Sequence, residues 1–574
     1  MAQRFSKVAV IGIGTVGATL TGLLARHGLP VVAVEADETE RERGRERVAA
    51  TGADEAVLGH VRFTTRIEDA AGADLVVEAV PERLETKIEV IDRASIVCGR
   101  DAVYATTTTG HAVTELASSL SWLMTHTVGL HLFPTPAATA LEVVCTPITD
   151  AAVREDVVAL VRSLELQPVL VHDRPGFIGG ALTMAYLNSA VAMYEQRYAS
   201  REDIDTAMTL GCGLPAGPLA QLDTIGLDVA HASLQALYER TGDRDYAPAP
   251  LLSHYVAAGL LGRKAGRGFY DYTVGSPAPA AAEHPAHPSR PVCSIGVVGS
   301  GTMGAGIAEV CARAGYPTLL VARSEVRAKE ALLAVERSLT RAVSRGKLSS
   351  GELEATMVRL TAASQYEALE GCDLVIEAVV EDLPVKRALF TKLGALTRPD
   401  TVLATSTSSL PIIECATATG RPENVVGMHF FNPAPVMKLV EVVRTALTSD
   451  GTVGTAYATA TALGKRPVGC SDRTGFIVNA LLFPYLNRAI ELVQRHAIAP
   501  DDIDAVMAGG HGYPMGPLRL LDVIGLDVSL QIQRTLHETF LDPSLAPAQY
   551  LEHLVRAGYL GRKTGRGLRD HGKS

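Results

Sequence analysis

The chain has 574 residues, is 47% hydrophobic and 20% charged, and carries a net charge of −10; at about 100–200 residues per domain it is expected to form about four domains. The negative balance without a long basic run argues against nucleic acid as the main partner, and no apolar run reaches the ~18 residues of a membrane span. Met1 to Lys7 lead into an apolar strand without the pattern of a secretory leader, and the eight cysteines form no C-x-x-C pair, so a cytoplasmic protein with reduced thiols and no metal site is expected.

The first predicted strand runs into VAVIGIGTVGATL, where Gly12, Gly14 and Gly17 form G-x-G-x-x-G before a helix. The first glycine allows a tight turn, the second lets backbone approach a pyrophosphate, and the third lets helix pack on strand. The free N–H groups of the helix start then stabilise the anion. At the end of the second strand, VVAVEAD places Glu35 where a carboxylate accepts from ribose hydroxyls and repels a 2′-phosphate. The cofactor expected in the first half is therefore NAD. Up to residue 174, short apolar runs alternate with helix-like stretches, the pattern of a mainly parallel α/β sheet. From 175 to 273 the pattern is helical, led by the long apolar FIGGALTMAYLNSAVAMYEQ.

VGSPAPAAAEHPAHPSRP (274–291), with its five prolines, reads as a semi-rigid linker. Beyond it the chain repeats itself. IGVVGSGTMG, CDLVIEAVVE, RTGFIVNAL, YPMGPLRLLDVIGLDVS and LGRKTGRG follow the order of VAVIGIGTVG, ADLVVEAVPE, RPGFIGGAL, LPAGPLAQLDTIGLDVA and LGRKAGRG in the first half. The fold class expected is an α/β Rossmann domain plus an all-α C-terminal domain, the pair present twice. The second copy spans 292–473 and 474–574. Its nucleotide loop holds Gly299, Gly301 and Gly304, with Thr302 and Met303 between them. TLLVARSE puts Ala322 at the place of Glu35, followed by Arg323 and Ser324. The carboxylate is gone and a cation and a hydroxyl flank the gap, which favours NADP here, with NAD the alternative. GMHFFNPAPVMKLVEVV holds His429 and, twelve residues on, Glu441. Reducing a ketone needs a proton donor at the oxygen; imidazole titrates near the working pH, and a carboxylate on its far nitrogen fixes the tautomer.

The H-F-F-N-P…M-K-L-V-E motif resembles that of the 3-hydroxyacyl-CoA dehydrogenase family, and the resemblance covers nearly the whole chain, twice. It implies hydride transfer between NAD(P)H and C3 of a short acyl-CoA such as acetoacetyl-CoA, with the S alcohol as the reduced form. By the same resemblance His429 is the catalytic acid/base and Glu441 its partner. Ser408 and Asn479 are both catalytic and substrate-binding, and Asn432 is a further substrate residue. Glu381 and Lys386 match positions near the cofactor. Lys347, in SRGKLSSGELEATM, is a candidate contact for a CoA phosphate, because the family folds this region into a helical hairpin that touches CoA. The resemblance further implies that the two helical domains pair within the chain, and a further homodimer is open.

The first half departs from this pattern. His131 and Glu142 are eleven residues apart, Thr109 stands for Ser408, and Gly180 stands for Asn479. The interval from Glu35 to Asp74 is twelve residues shorter than that from Ala322 to Asp373, too short for the full CoA clamp. The first half is thus expected to be a weakly catalytic or non-catalytic partner. The competing readings are two working sites, action on a carrier-protein thioester, and a nicotinamide-binding scaffold without turnover. LRDHGKS at the C-terminus departs from GFYDY in the first half, which leaves the terminal contacts of the second half open.

Overall fold

The computed structural model describes residues 4–119, 122–133, 138–273 and 288–572. The first half contributes strands β1 (Val8–Ile11), β2 (Val31–Val34), β3 (Val61–Thr64), β4 (Leu75–Glu78), β5 (Val103–Thr106), β6 (Thr127–His131), β7 (Ala140–Cys145) and β8 (Gln167–His172). The second contributes β9 (Ile295–Val298), β10 (Thr318–Val321), β11 (Leu360–Ala363), β12 (Leu374–Glu377), β13 (Val402–Thr405), β14 (Val425–Phe430), β15 (Leu439–Arg444) and β16 (Arg466–Ser471). They form two eight-stranded sheets of identical order, β3-β2-β1-β4-β5-β6-β7-β8 and β11-β10-β9-β12-β13-β14-β15-β16. Within each sheet one pairing is antiparallel, β6 with β7 and β14 with β15. The central strands VAVI, LVVE, IGVV and LVIE are buried along their whole length, as strands covered on both faces must be. Strand order reverses at β1 and β9, and the crevice at such a switch point is where α/β sheets bind ligands.

The expected hairpin difference is present. Helices Glu325–Ser344 and Ser350–Arg359 have 20 and 10 residues, against 13 and 4 for Glu38–Ala50 and Glu55–Leu58. Most of the linker expected at 274–291 lies outside the described residues. At its end Arg290 is already fixed to the second half, donating from its backbone to Thr455 Oγ1 (2.9 Å) and from its guanidinium to Asp400 O (2.7 Å) and Asn424 Oδ1 (2.8 Å).

Helices Gly179–Glu195 and Val478–His496 pack on each other across the halves, with Tyr186 and Tyr485 ring centroids 6.0 Å apart. One hydrophobic cluster joins Phe177 and Leu187 to Phe476 and Leu486. Helix Arg201–Cys212 lies against β15 and β16, and the π-helical turn Val506–Gly510 against β7, so each helical region covers the other half's sheet. Polar ties cross the same boundary. Tyr198 donates to Ser471 O (2.9 Å) and Thr139 N to Gly509 O (2.7 Å). Arg488 pairs with Asp243 at 2.9 Å and with Asp245. The divergent C-terminus keeps its anchor. Asp522 accepts from Leu568 N (2.8 Å) and Arg569 N (3.1 Å) and lies 2.9 Å from His571 Nε2, as Asp223 accepts from Phe269 N, Tyr270 N and the Tyr272 hydroxyl. His571 thus replaces Tyr272. Among the described residues no helix is long and apolar enough to cross a membrane.

Candidate active site

The two glycine loops are built for an anion. A Cβ on Gly12 would lie 2.7 Å from Ala79 O, and one on Gly17 1.9 Å from Gly12 O. On Gly299 it would meet Ala378 O at 2.3 Å, and on Gly304 it would meet Gly299 O at 2.0 Å. Side chains are therefore excluded at the first and third glycines. Gly14 and Gly301 face open space and cap helices Thr15–Arg26 and Thr302–Arg313 without a side-chain partner. That leaves backbone N–H groups free where a pyrophosphate would approach. Both copies fit a dinucleotide. Thr302 is exposed, and Met303 is half-buried against the core.

Glu35 bends back onto its own loop, accepting from Ile13 N at 2.5 Å and Ala36 N at 3.2 Å. Burial raises its carboxyl above the ordinary value against those hydrogen bonds. Ala322 is buried at the matching place and Arg323 is exposed; among the described residues Arg323 makes no ion pair or hydrogen bond to another side chain. Ser324 is committed locally: its hydroxyl caps helix Glu325–Ser344 by accepting from Arg327 N at 3.3 Å.

The His–Glu pairs sit on the antiparallel hairpins. His429 lies directly opposite Glu441, and His131 opposite Glu142, across the strand pairs. His429 Nδ1 is 2.6 Å from Glu441 Oε2, and His131 Nδ1 is 2.5 Å from Glu142 Oε2. The other oxygen of Glu441 accepts from Ile477 N (3.0 Å) and Val478 N (2.9 Å), which ties the sheet to the long helix. Glu142 does the same with Ile178 N at 2.8 Å. The shorter spacing in the first half is absorbed between the strands, and its dyad is fully assembled.

The loop after β13 is held by Glu381, which accepts from the Thr407 hydroxyl (2.7 Å), Ser408 N (2.8 Å) and Ser409 N (3.1 Å). Asn479 Nδ2 donates to Ser408 O at 3.0 Å. Ser408, His429, Glu441 and Asn479 therefore converge. Lys386 is 1% exposed, 2.6 Å from Glu377 and 3.5 Å from Glu381. Asn432 follows β14 at the surface, and Lys347 is exposed in the turn of the long hairpin. Glu377 escaped the sequence reading, although it stands inside a repeated motif. It is fully buried and accepts from Thr405 Oγ1 (2.6 Å) and Val379 N (2.7 Å). The first half repeats the network through Glu78, Glu82 and Lys87. Burial alone would raise the Glu82 carboxyl, but Lys87, Thr108 and Gly110 bring it down to about 2.

The halves differ around the outer histidine nitrogen. Among the described residues nothing hydrogen-bonds His429 Nε2, whereas His131 Nε2 lies 3.0 Å from the Thr109 hydroxyl. Thr109 and Gly180 fit each other: a Cβ on Gly180 would be 2.6 Å from Thr109 Cγ2. The Thr109 methyl thus crowds the place an asparagine would need. No group of three or more His, Cys, Asp or Glu suited to a metal occurs among the described residues.

Comparison with known families gives two matches, each made twice. The family described as "3-hydroxyacyl-CoA dehydrogenase, NAD binding domain" matches residues 7–174 and 294–473. "3-hydroxyacyl-CoA dehydrogenase, C-terminal domain" matches 176–272 and 475–571. A 3-hydroxybutyryl-CoA dehydrogenase of Mycobacterium tuberculosis is 46% identical over 276 residues, 48% of this chain and 96% of the relative. A probable 3-hydroxybutyryl-CoA dehydrogenase of Deinococcus radiodurans is 42% identical over 274 residues, 48% of this chain and 98% of the relative. The crystal structure of a 3-hydroxybutyryl-CoA dehydrogenase from Escherichia coli K12 covers 97% of this chain and 100% of its own, with a TM-score of 0.64 at 23% identity, a likeness of fold.

Proposed function

The chain belongs, in both of its halves, to the NAD-binding 3-hydroxyacyl-CoA dehydrogenase family, and from that premise we propose that it interconverts acetoacetyl-CoA and 3-hydroxybutyryl-CoA and that its second half performs the turnover. The observation that carries this reading is that, among the described residues, nothing hydrogen-bonds His429 Nε2, whereas the Nε2 of His131 is held by the Thr109 hydroxyl. A bound nicotinamide supplies or accepts the hydride at C3. In the reductive direction His429 donates its Nε2 proton to the forming alkoxide, and Glu441 on Nδ1 steadies the ring and balances its charge. Asn479 and Glu381 hold the Ser408 loop in place, so that the Ser408 hydroxyl orients the substrate oxygen. Asn432 and Lys347 are assigned to the thioester side, Lys347 to a CoA phosphate. NADP is favoured in the second half, because Arg323 is free to meet a 2′-phosphate and no carboxylate opposes it; NAD is assigned to the first half through Glu35. The pairing of the helical regions within the chain takes the place of a contact between two single-copy subunits. We assign the protein to the cytoplasm, in keeping with eight unpaired cysteines.

The test is acetoacetyl-CoA reduction by the purified chain, with NADPH and NADH in parallel. Turnover with a preference for NADPH supports the reading. A preference for NADH overturns the cofactor assignment, and no turnover with either overturns the substrate.

A further inference from the structure

The wall behind the first dyad belongs to the second half. His511, just after the turn Val506–Gly510, is 1% exposed. Its ring centroid lies 3.4 Å from that of Phe133, and Phe133 stands edge-on to His131 at 4.4 Å. The Thr183 hydroxyl is 3.3 Å from His511 Nε2. The imidazole has room because residue 179 is glycine: a Cβ there would lie 2.9 Å from His511 Nε2 and 2.4 Å from a Phe133 ring carbon. Burial, and after it the neighbouring His131, hold the His511 imidazole well below its ordinary value, so it is a neutral wedge.

The matching junction on the other side is built differently. Cys212 stands where His511 stands, and Val478 where Gly179 stands. A Cβ on Gly211 would lie 2.9 Å from both Leu439 and Val478. Phe431 in that copy also lies against its histidine, its ring centroid 4.6 Å from that of His429, but it is half-buried and no imidazole among the described residues backs it, whereas Phe133 is 7% exposed. An imidazole in a glycine notch and a thiol beside a valine wall are not interchangeable.

We propose that His511 is a positioning residue which the second half supplies to the first. It locks Phe133 in place behind the His131 ring and, together with Thr109 on Nε2, shuts that imidazole away from substrate. This rests on the reading that turnover belongs to the second half, and it names what silences the first.

The test is diethyl pyrocarbonate labelling of the full chain, with the peptides carrying His131 and His429 followed by mass spectrometry and acetoacetyl-CoA reduction assayed alongside. Wild type should label His131 about tenfold more slowly than His429. His511→Cys should speed His131 labelling about tenfold, as expected when a local closure is released. His511→Phe, which fills the notch without ring nitrogens, should keep it slow. Reductase activity should stay within about twofold in all three before labelling. His511→Ala replaces His511→Cys if the latter does not fold. Labelling of His131 unchanged by the opening variant, or as fast as His429 in wild type, overturns the proposal. Activity that falls in step with His131 labelling, and not with His429 labelling, overturns instead the assignment of turnover to the second half.

Discussion

Replacing Glu35 by Ala322 removes a carboxylate from the one position that decides between ribose hydroxyls and a 2′-phosphate. If Arg323 meets that phosphate, the bond is charge-assisted and contributes about 1.5–3 kcal/mol. Arg323→Ala should then lower kcat/KM for NADPH by about 10–100-fold and leave that for NADH nearly unchanged. Ala322→Glu should turn the preference toward NADH; steady-state kinetics with both cofactors checks each variant. A second residue-scale prediction concerns Glu82, whose folded carboxyl is held at about 2 against an ordinary 4.5. A depressed carboxylate stabilises the fold fully above its unfolded value and loses that contribution as pH falls through the folded one. Glu82→Gln should therefore cost on the order of 3 kcal/mol at neutral pH, and the gap to wild type should narrow between about pH 4.5 and 2. Denaturant unfolding across that range measures it. At this scale the sequence exposed the dyads, because histidine and glutamate recur inside a repeated motif. It did not expose the Thr109–Gly180 fit or His511, whose meaning depends on atoms brought together from distant segments.

Among elements, the hairpins β6–β7 and β14–β15 explain why an eleven-residue spacing assembles the same dyad as a twelve-residue one. Cross-strand register, and not chain separation, places histidine opposite glutamate. Separation was the only quantity visible in the sequence, and there it looked like damage. The longer helical hairpin after β10 was legible, because an insertion shows directly in the interval between two recognisable strands. The burial of Lys386 was not, since a lysine on a helix reads as solvated until the sheet beneath it is known. Glu377 and Lys386 are 0% and 1% exposed in their side chains, and removing one partner of such a pair costs about 3–5 kcal/mol. Lys386→Met should lower the thermal midpoint markedly, and the double change with Glu377→Leu should recover part of the loss. Equal midpoints for wild type and Lys386→Met would show that the pair carries no weight.

In the whole molecule, duplication and the two-domain plan of each half followed from the repeated motifs, but the way each helical region covers the other half's sheet did not. That exchange predicts that the halves unfold together. Arg488, 14% exposed between Asp243 and Asp245, is the polar centre of the boundary, and its partners keep some solvent. Arg488→Ala should cost about 1–3 kcal/mol and should lower the denaturant midpoint of both halves together. Two separated transitions, with only one moved, would contradict the coupled arrangement.

The asymmetry between the halves is the central claim, and His131→Ala against His429→Ala in acetoacetyl-CoA reduction tests it most directly. Loss of the general acid should lower kcat by about 10²–10⁴-fold in His429→Ala, while His131→Ala should stay close to wild type. Equal losses in the two variants, or a larger loss in His131→Ala, would contradict it.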